Sequence, residues 1–512
     1  MSDSTAGSAA DLVSTAAREL VQRSPVLVEI GERFTAAGHR LHLVGGSVRD
    51  ALLGRLDDDL DLTTDARPEQ VLAIVEGWAE ATWDVGIAFG TVGARKQGQR
   101  LEITTYRSES YDRTSRKPEV VYGDSLTDDL VRRDFAMNAM ALQLPDWTAP
   151  DAFVDLYGGM DDLAAGVIRT PGRPVDSFDD DPLRMLRAAR FASQLGFDVA
   201  PEVVAAMTDR ADRISIVSAE RVRAELEKLL LGPHPRKGLT LLVDTGLAEH
   251  VLPELPALRL EIDEHQQHKD VYEHTLQVLE RAIALEPRLE PPGPDLVLRL
   301  AALLHDIGKP ATRRFEDGPQ GKKVTFHHHE VKGAHLARKR LKALTFGKDV
   351  VEAVFLLTEM HLRFHGYGQP GTSPWTDAAV RRYVHDAGDQ LTRLHLLTRS
   401  DCTTRNRRRA QQLSSAYDDL ERRIAQLADQ EELRAIRPDL DGNQIMELLA
   451  LPPGRLVGEA YKHLLALRME HGPMPHDEAV AALRAWARDH VPPGPADKAA
   501  GKAAGKGSSP AS

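Results

Sequence analysis

Four aspartates, Asp57, Asp58, Asp59 and Asp61, crowd into five positions shortly after the pair Gly45-Gly46. Neighbouring carboxylates repel one another unless a cation lies between them. Ligands that are all oxygen suit Mg²⁺, which keeps part of its water shell and also binds substrate phosphates. A Gly-Gly turn at a helix start lets backbone N–H groups approach a phosphate, which the positive helix end also favours. Arg49, one turn further on, would add a charge-assisted contact. The chemistry on offer is that of a metal-bound polyphosphate.

Local elements must hold these groups in place. His39 to Val44 reads as a short strand, and Val48 to Leu53 as an amphipathic helix stopped by Gly54. From Asp57 to Leu62 the leucines alternate with aspartates in the period of a half-buried strand, leucines inward. Asp59 and Asp61 then share one face, roughly 7 Å apart between Cα atoms by strand rise, while Asp57 and Asp58 fall in the turn. A lone Gly-Gly or Asp-x-Asp is more simply a solvated turn. Their coupling within one strand, turn, helix, strand unit favours the phosphate-and-metal reading.

Downstream, Arg100 to Arg107 alternates as a strand and places Glu102 as a third acid beside the aspartate pair. Ser108 to Gly123 is polar and interrupted by proline, longer than most connections, and reads as a mobile loop. The segment LTDDLVRRDFAMNAMAL predicts a helix behind Asp128 and Asp129, with Arg132, Arg133 and Asp134 on its first turns. In DSFDDDPLRMLRAARFASQLGF, Pro182 starts a helix along which Arg184, Arg187 and Arg190 recur every three residues. With Asp181 at the helix start, that stripe offers the acceptor and the fork-shaped donors that read the edge of a base. Spacing alone favours a solvated face.

GGSVRDALLGRLDDDLDLTT, RRDFAMNAMA, DLYGGMDDL, DDPLRMLRAARFASQLGF and SAERVRAELEKLL follow one another between about Leu41 and Leu231. In this order they resemble the successive motifs of class II tRNA nucleotidyltransferases, the CCA-adding enzymes and their bacterial poly(A) polymerase relatives. The resemblance implies an α/β head of DNA polymerase β-like nucleotidyltransferase type, followed by a mostly α-helical neck and body. It implies Asp59 and Asp61 as ligands of catalytic Mg²⁺; Glu102, read from strand alternation alone, is the candidate third acid or simply an exposed strand position. It places Gly45, Gly46, Arg49, Arg132, Arg133, Asp134 and Asn138 around the incoming nucleotide. Asp181 and Arg184 would pair with the base of CTP or ATP, supported by Arg187 and Arg190, so that protein selects the nucleotide. The family usually has Glu-Asp where this chain has Asp180-Asp181, which keeps the charge. Full CCA addition is favoured by the loop after Arg107, because CC-only members resemble versions lacking it. Addition by a poly(A) polymerase, or of CC or A alone, stays open.

In the second half, LAALLHDIGKP interrupts an apolar helix with His305-Asp306, two metal-capable groups in a stretch that otherwise reads as buried. His274, His329, His361 and Asp401 accompany them. The order resembles the HD superfamily of metal-dependent phosphohydrolases, which implies one metal on His274, His305, Asp306 and Asp401, and a second divalent metal drawing on His329 and His361. A phosphohydrolase, with the head reduced to a nucleotide sensor, is the reading from a different class. A degenerate domain kept for tRNA binding or dimer contacts is the plainer alternative.

The 512 residues suffice for several domains, and one cysteine, Cys402, excludes an internal disulfide framework. A net charge of −12 argues against nonspecific nucleic-acid binding by the whole surface, although the arginines from Arg405 to Arg409 and the lysine-rich stretch Lys322 to Lys342 make local basic faces. No stretch reads as a membrane span or signal peptide, so the expectation is a cytoplasmic protein with tRNA, CTP and ATP as partners. Expected divisions are 1–25, partly disordered; 26–170, the head; 171–262, neck and body, with Ser218 capping a helix; 263–405, the HD domain; 406–490, a helical segment; and 491–512, a disordered tail.

Overall fold

The computed structural model describes residues 3–55, 59–84, 86–87, 90–107, 122–259, 270–318, 321–364, 367, 375–402, 407–431 and 437–491. Asp57, Asp58, Arg405, most of the long loop after Arg107 and the tail from 492 lie outside them. The chain divides into two compact units. One comprises Met1–Tyr272 with Pro294–Arg299 and Lys339–Lys348; the other comprises Glu273–Gly293, Leu300–Arg338 and Asp349–Ser512.

The first unit is built on a seven-stranded sheet of order β3-β4-β5-β2-β1-β6-β7. Its strands are β1 (Leu41–Val44), β2 (Asp59–Thr64), β3 (Ala81–Trp83), β4 (Thr91–Lys96), β5 (Gln99–Thr105), β6 (Met140–Leu144) and β7 (Phe153–Asp155). Only β2 and β5 pair in parallel, and that pair sets Asp61 directly opposite Glu102. Along β2 the alternation expected from sequence is present: Leu60 and Leu62 are buried and the positions of Asp59 and Asp61 face away from them. Leu41, Leu43, Leu60, Leu62, Leu101 and Ile103 form the sheet's share of the core, against helices Val26–Ala36 and Pro68–Val75.

Ahead of the sheet a helix runs from Asp3 to Arg23, and its Ala17 and Leu20 recur on one helical face and join the head core. One expectation is corrected here. The helix expected through LTDDLVRRDFAMNAMAL stops at Val131. Arg132, Arg133 and Asp134 then lie in a turn, Ala136–Asn138 is a single 3-10 turn, and Met140–Leu144 is β6. That strand is almost wholly buried between β1 and β7, so its apolar run carries no alternation to tell it from a helix.

Beyond the sheet come helices Pro174–Asp180, Leu183–Leu195, Pro201–Arg210, Ala219–Leu230 and Pro235–Asp244, the expected neck. Ser218 occupies the cap position of Ala219–Leu230, but its side chain makes no capping bond to the helix backbone. The second unit is mainly helical, with a hairpin of strands Arg314–Gly318 and Gly321–Thr325. It ends in helices Arg407–Glu431, Gly442–Leu449, Arg455–His471 and His476–His490, the last three around their own apolar core. Among the described residues no helix is long and apolar enough to cross a membrane.

Candidate functional sites of the two units

Gly45 caps the helix Gly46–Leu52 at φ 72° and ψ −138°, backbone that a side chain rarely adopts. A Cβ there would lie 3.1 Å from Arg133 Nη1 and 3.3 Å from Asp61 Oδ2. The turn therefore brings bare backbone up to a cation and a carboxylate together. Ser47, in the first turn of that helix, fastens it to β2: its hydroxyl donates to the Asp59 carbonyl at 3.2 Å and accepts the Asp61 N–H at 3.0 Å. Sequence reading passed over Ser47, although a hydroxyl directly after the glycine pair was the available signal.

Asp61 lines a cavity of about 270 Å³ with Glu102, Asp129, Arg132, Arg133 and Arg184 among its walls. Burial raises the Asp61 carboxyl above its ordinary value; Arg133 opposes the shift, and Glu102 and Asp59 add to it. An acid crowded by two further acids is a place where a divalent cation restores the ionised form. Arg133 is aimed by Asp129, whose carboxylate accepts from it at 3.0 Å and from the Thr63 hydroxyl at 3.3 Å. Glu102 pairs with Arg100 at 2.9 Å and stays half exposed.

The arginine helix Leu183–Leu195 is not the solvated face that spacing alone favoured. Arg184 donates to the Ser177 hydroxyl at 2.9 Å and to the Arg132 carbonyl. Arg187 donates to Asp134 at 2.7 Å, and Arg190, 6% exposed, faces Glu225 at 3.2 Å. Burial would raise the Asp134 carboxyl, but the charge of Arg187 and the bonds from Asn138 and Arg187 hold it far below the carboxylate range. Burial and the neighbouring Arg187 bring Arg190 down to about 10. Asp181 accepts the Leu183 N–H at 3.1 Å and Arg221 at 2.9 Å, while its neighbour Asp180 lines the Asp61 cavity.

Arg49 is held elsewhere. It forks onto Asp50 at 2.9 and 2.6 Å, donates to Asn138 at 2.7 Å, and lines a separate cavity of about 380 Å³ with Asp50, Arg55 and Gln194. The structure thus gathers Asp61, Glu102, Arg132, Arg133 and Arg184 around one cavity, with Gly45 at its edge. Arg49, Asp134, Asn138, Arg187 and Arg190 form an adjoining network.

In the second unit the six expected ligands converge. His274 lies on helix Val271–Leu285, His305 and Asp306 follow helix Leu296–Leu304, and His329 opens helix His329–Ala343. His361 follows helix Lys348–Met360, and Asp401 ends helix Leu391–Asp401. They fall into two groups, His274, His305 and Asp401, and Asp306, His329 and His361. Asp306 faces both: its Oδ2 lies 3.2 Å from His305 Nε2 and 3.5 Å from His274 Nε2, and its Oδ1 lies 3.3 Å from His329 Nε2. Asp401 Oδ1 is 3.0 Å from His274 Nε2. Gly308 lets the helix His329–Ala343 approach, since a Cβ there would collide with the His329 carbonyl.

Three of these rings share one local device. His305, His329 and His361 turn Nδ1 to the carbonyl three residues earlier, of Ala302, Phe326 and Thr358, at 2.9, 2.9 and 2.7 Å. A ring that donates from Nδ1 leaves a lone pair on Nε2 for a metal. The buried Nε2 atoms of His305 and His329 lie 3.2 and 3.3 Å from the Asp306 oxygens without the alignment of a hydrogen bond, which fits groups shaped to hold a cation between them. Burial, with His305 beside it, pushes His361 down to about 3, so the ring is neutral, as ligation requires.

Residues 41–169 match the Poly A polymerase head domain, 196–258 the probable RNA and SrmB-binding site of polymerase A, and 271–433 the HD domain. A CCA-adding enzyme of Levilactobacillus brevis is 42% identical over 233 residues, 45% of this chain and 55% of that protein. One of Bacillus subtilis is 44% identical over 216 residues, 42% of this chain and 52% of that protein. The match thus spans about half the length of these curated relatives. Among solved structures, the Bacillus stearothermophilus CCA-adding enzyme in complex with CTP aligns over 90% of this chain and 97% of its own, with TM-score 0.63 and 26% identity. The Thermotoga maritima CCA-adding enzyme complexed with tRNA shares the fold, with TM-score 0.56 and 18% identity over 92% of this chain and 98% of its own.

Proposed function

Because the chain belongs to the poly(A) polymerase-type nucleotidyltransferases, the family of the CCA-adding enzymes, and carries an HD domain, we propose that it adds CCA to tRNA 3′ ends. CTP and ATP are the substrates, pyrophosphate is released, and the work is cytoplasmic. The observation that carries this reading is the Asp61 cavity, in which the Asp61 carboxyl, a second acid in register with it and four arginines converge. In the proposed division, 26–170 binds the triphosphate, 171–262 selects the base and holds RNA, 263–405 is the HD domain, and 406–490 adds a helical segment.

Mg²⁺ held by Asp59 and Asp61 would lower the pKa of the attacking hydroxyl and offset charge on the departing pyrophosphate. The chain's own part is positioning. Arg132 and Arg133 meet the triphosphate, and the Gly45 turn lets backbone N–H groups approach it. Arg184 and Asp181 present donors and an acceptor to the base. For Asp181 to read a base, Arg221 must release its carboxylate.

The test is to incubate the full chain with tRNA lacking its CCA end, supply CTP, ATP or both with Mg²⁺, and sequence the products. CCA ends support the reading. Long A-tails on varied RNAs would replace it with a poly(A) polymerase, and CC or A alone with a partial adder.

The HD domain supports a second reading, carried by the Nε2 atoms of His305 and His329, which converge on the two oxygens of Asp306 at 3.2 and 3.3 Å. His274, His305, Asp306 and Asp401 would hold one divalent metal and His329 and His361 contribute to a second, which would supply an activated water for phosphohydrolysis of nucleotide ends. Opening of a 2′,3′-cyclic nucleotide by one water to its 2′- or 3′-monophosphate, lost in Asp306→Ala, is the expected result; hydrolysis surviving that change overturns it. A chain that hydrolyses but adds no nucleotide would make the head a sensor.

A further inference from the structure

The phenyl ring of Phe191 is 4% exposed, yet three guanidinium groups face it. Arg190 lies 4.2 Å from the ring centroid, Arg49 4.9 Å and Arg187 5.7 Å. Phe135 meets it edge-on at 5.7 Å and 90°. Three cations this close repel one another. Each has one acid of its own, Asp50 for Arg49, Asp134 for Arg187 and Glu225 for Arg190. The negative face of the ring supplies the attraction they share.

These contacts close into a circuit. Phe191 touches Arg49, Arg49 donates to Asn138, Asn138 donates to Asp134 at 2.9 Å, Asp134 accepts from Arg187, and Arg187 returns to Phe191. Arg49 belongs to the helix that begins at the Gly45 turn, and Arg187 lies one turn after Arg184. The circuit therefore spans both ends of the nucleotide proposed above. A ring used only as apolar filling would not need to present itself to three charges.

We propose that Phe191 is a positioning residue that couples the base-reading helix Leu183–Leu195 to the phosphate-binding turn at Gly45, so that the fit of the base sets the alignment of the triphosphate. The proposal rests on the nucleotide-addition reading. It predicts that weakening the ring's negative face, at unchanged shape, lowers both turnover and the preference for the correct nucleotide.

The experiment replaces Phe191 with mono-, tri- and pentafluorophenylalanine in the full chain, and separately makes Phe191→Leu. Addition of the first C to tRNA lacking CCA is followed with CTP and, as the wrong nucleotide, UTP. Cation–π contacts of this kind predict a stepwise fall in kcat that reaches roughly tenfold for the pentafluoro ring. The CTP preference should fall alongside it, with KM for tRNA unchanged. The leucine variant should match the pentafluoro ring. Wild-type kcat and preference throughout the fluorinated series would overturn the proposal and leave Phe191 as core packing. A wild-type chain that adds no nucleotide overturns the addition reading, and this proposal with it.

Discussion

Gly45 offers a direct test of the head site, because strain and intrusion can be separated there. In Gly45→Ala the methyl group enters backbone at φ 72°, ψ −138°, which costs about 1–3 kcal/mol for a non-glycine residue. It also arrives 3.1 Å from Arg133 Nη1 and 3.3 Å from Asp61 Oδ2, so both must give way by a few tenths of an ångström. Neither gives way freely: Arg133 is fixed by Asp129, and the Asp61 N–H is fixed by Ser47. Displacing groups that align a reaction weakens it steeply, and a shift of this size predicts a fall in kcat/KM for CTP of about 2 kcal/mol, roughly thirtyfold. Gly54→Ala is the control. Its glycine also has positive φ, 68°, but a Cβ there meets nothing within 4 Å. That variant should lose about 1 kcal/mol of stability with addition kinetics within roughly twofold of wild type. Steady-state CTP incorporation into tRNA lacking CCA, with thermal melts of all three proteins, provides the measurement. If Gly45→Ala and Gly54→Ala lose the same activity, the loss comes from strain alone and the phosphate cradle is refuted.

Asp134→Asn should destabilise the head by about 2–4 kcal/mol, since Arg187 then keeps a largely buried charge without its acid, and amide exchange of the peptide around Ala136–Asn138 reads that loss locally. The folded carboxyl of Asp134 lies far below its unfolded value, so its contribution is present above about pH 4 and is lost as pH falls further; the asparagine variant should show a flatter acid limb, and an unchanged limb would refute the assignment. Removing divalent metal with a chelator should lower the melting temperature of the wild-type chain, because an ion bound at about a thousand times its Kd stabilises by about 4 kcal/mol; His305→Ala should lose that chelator-dependent shift, and an equal shift in both proteins would place the metal elsewhere. Asp59→Ala should abolish nucleotide addition and spare HD hydrolysis, with Asp306→Ala doing the reverse; loss of both activities in either variant would refute two separate centres.

How much of this was legible in the sequence depended on how far apart the partners lie along the chain. The faces of β2 followed from the two-residue period alone, because Leu60 and Leu62 pack inward whatever stands beside them. Local period failed at β6, where burial on both faces erased the alternation that distinguishes a strand from a helix. It also misjudged Arg184, Arg187 and Arg190, since their acceptors come from other segments: Asp134 lies 53 residues from Arg187 and Glu225 lies 35 residues from Arg190. Arg49 and Asn138 are 89 residues apart, and no motif joins them.

The HD histidines show the opposite case. Their convergence was expected only from resemblance, yet the device that prepares three of them is local, a ring bonded to the carbonyl three residues before it. Such a bond needs only one turn of chain, so each Nε2 is aimed by its own segment rather than by the long-range packing that gathers the six ligands. The head works differently, because the aim of Arg133 depends on Asp129 one turn away but that of Arg187 depends on Asp134 across a domain's width of sequence. Substitutions in the circuit through Phe191, Arg49, Asn138, Asp134 and Arg187 should therefore prove strongly non-additive in double-mutant cycles.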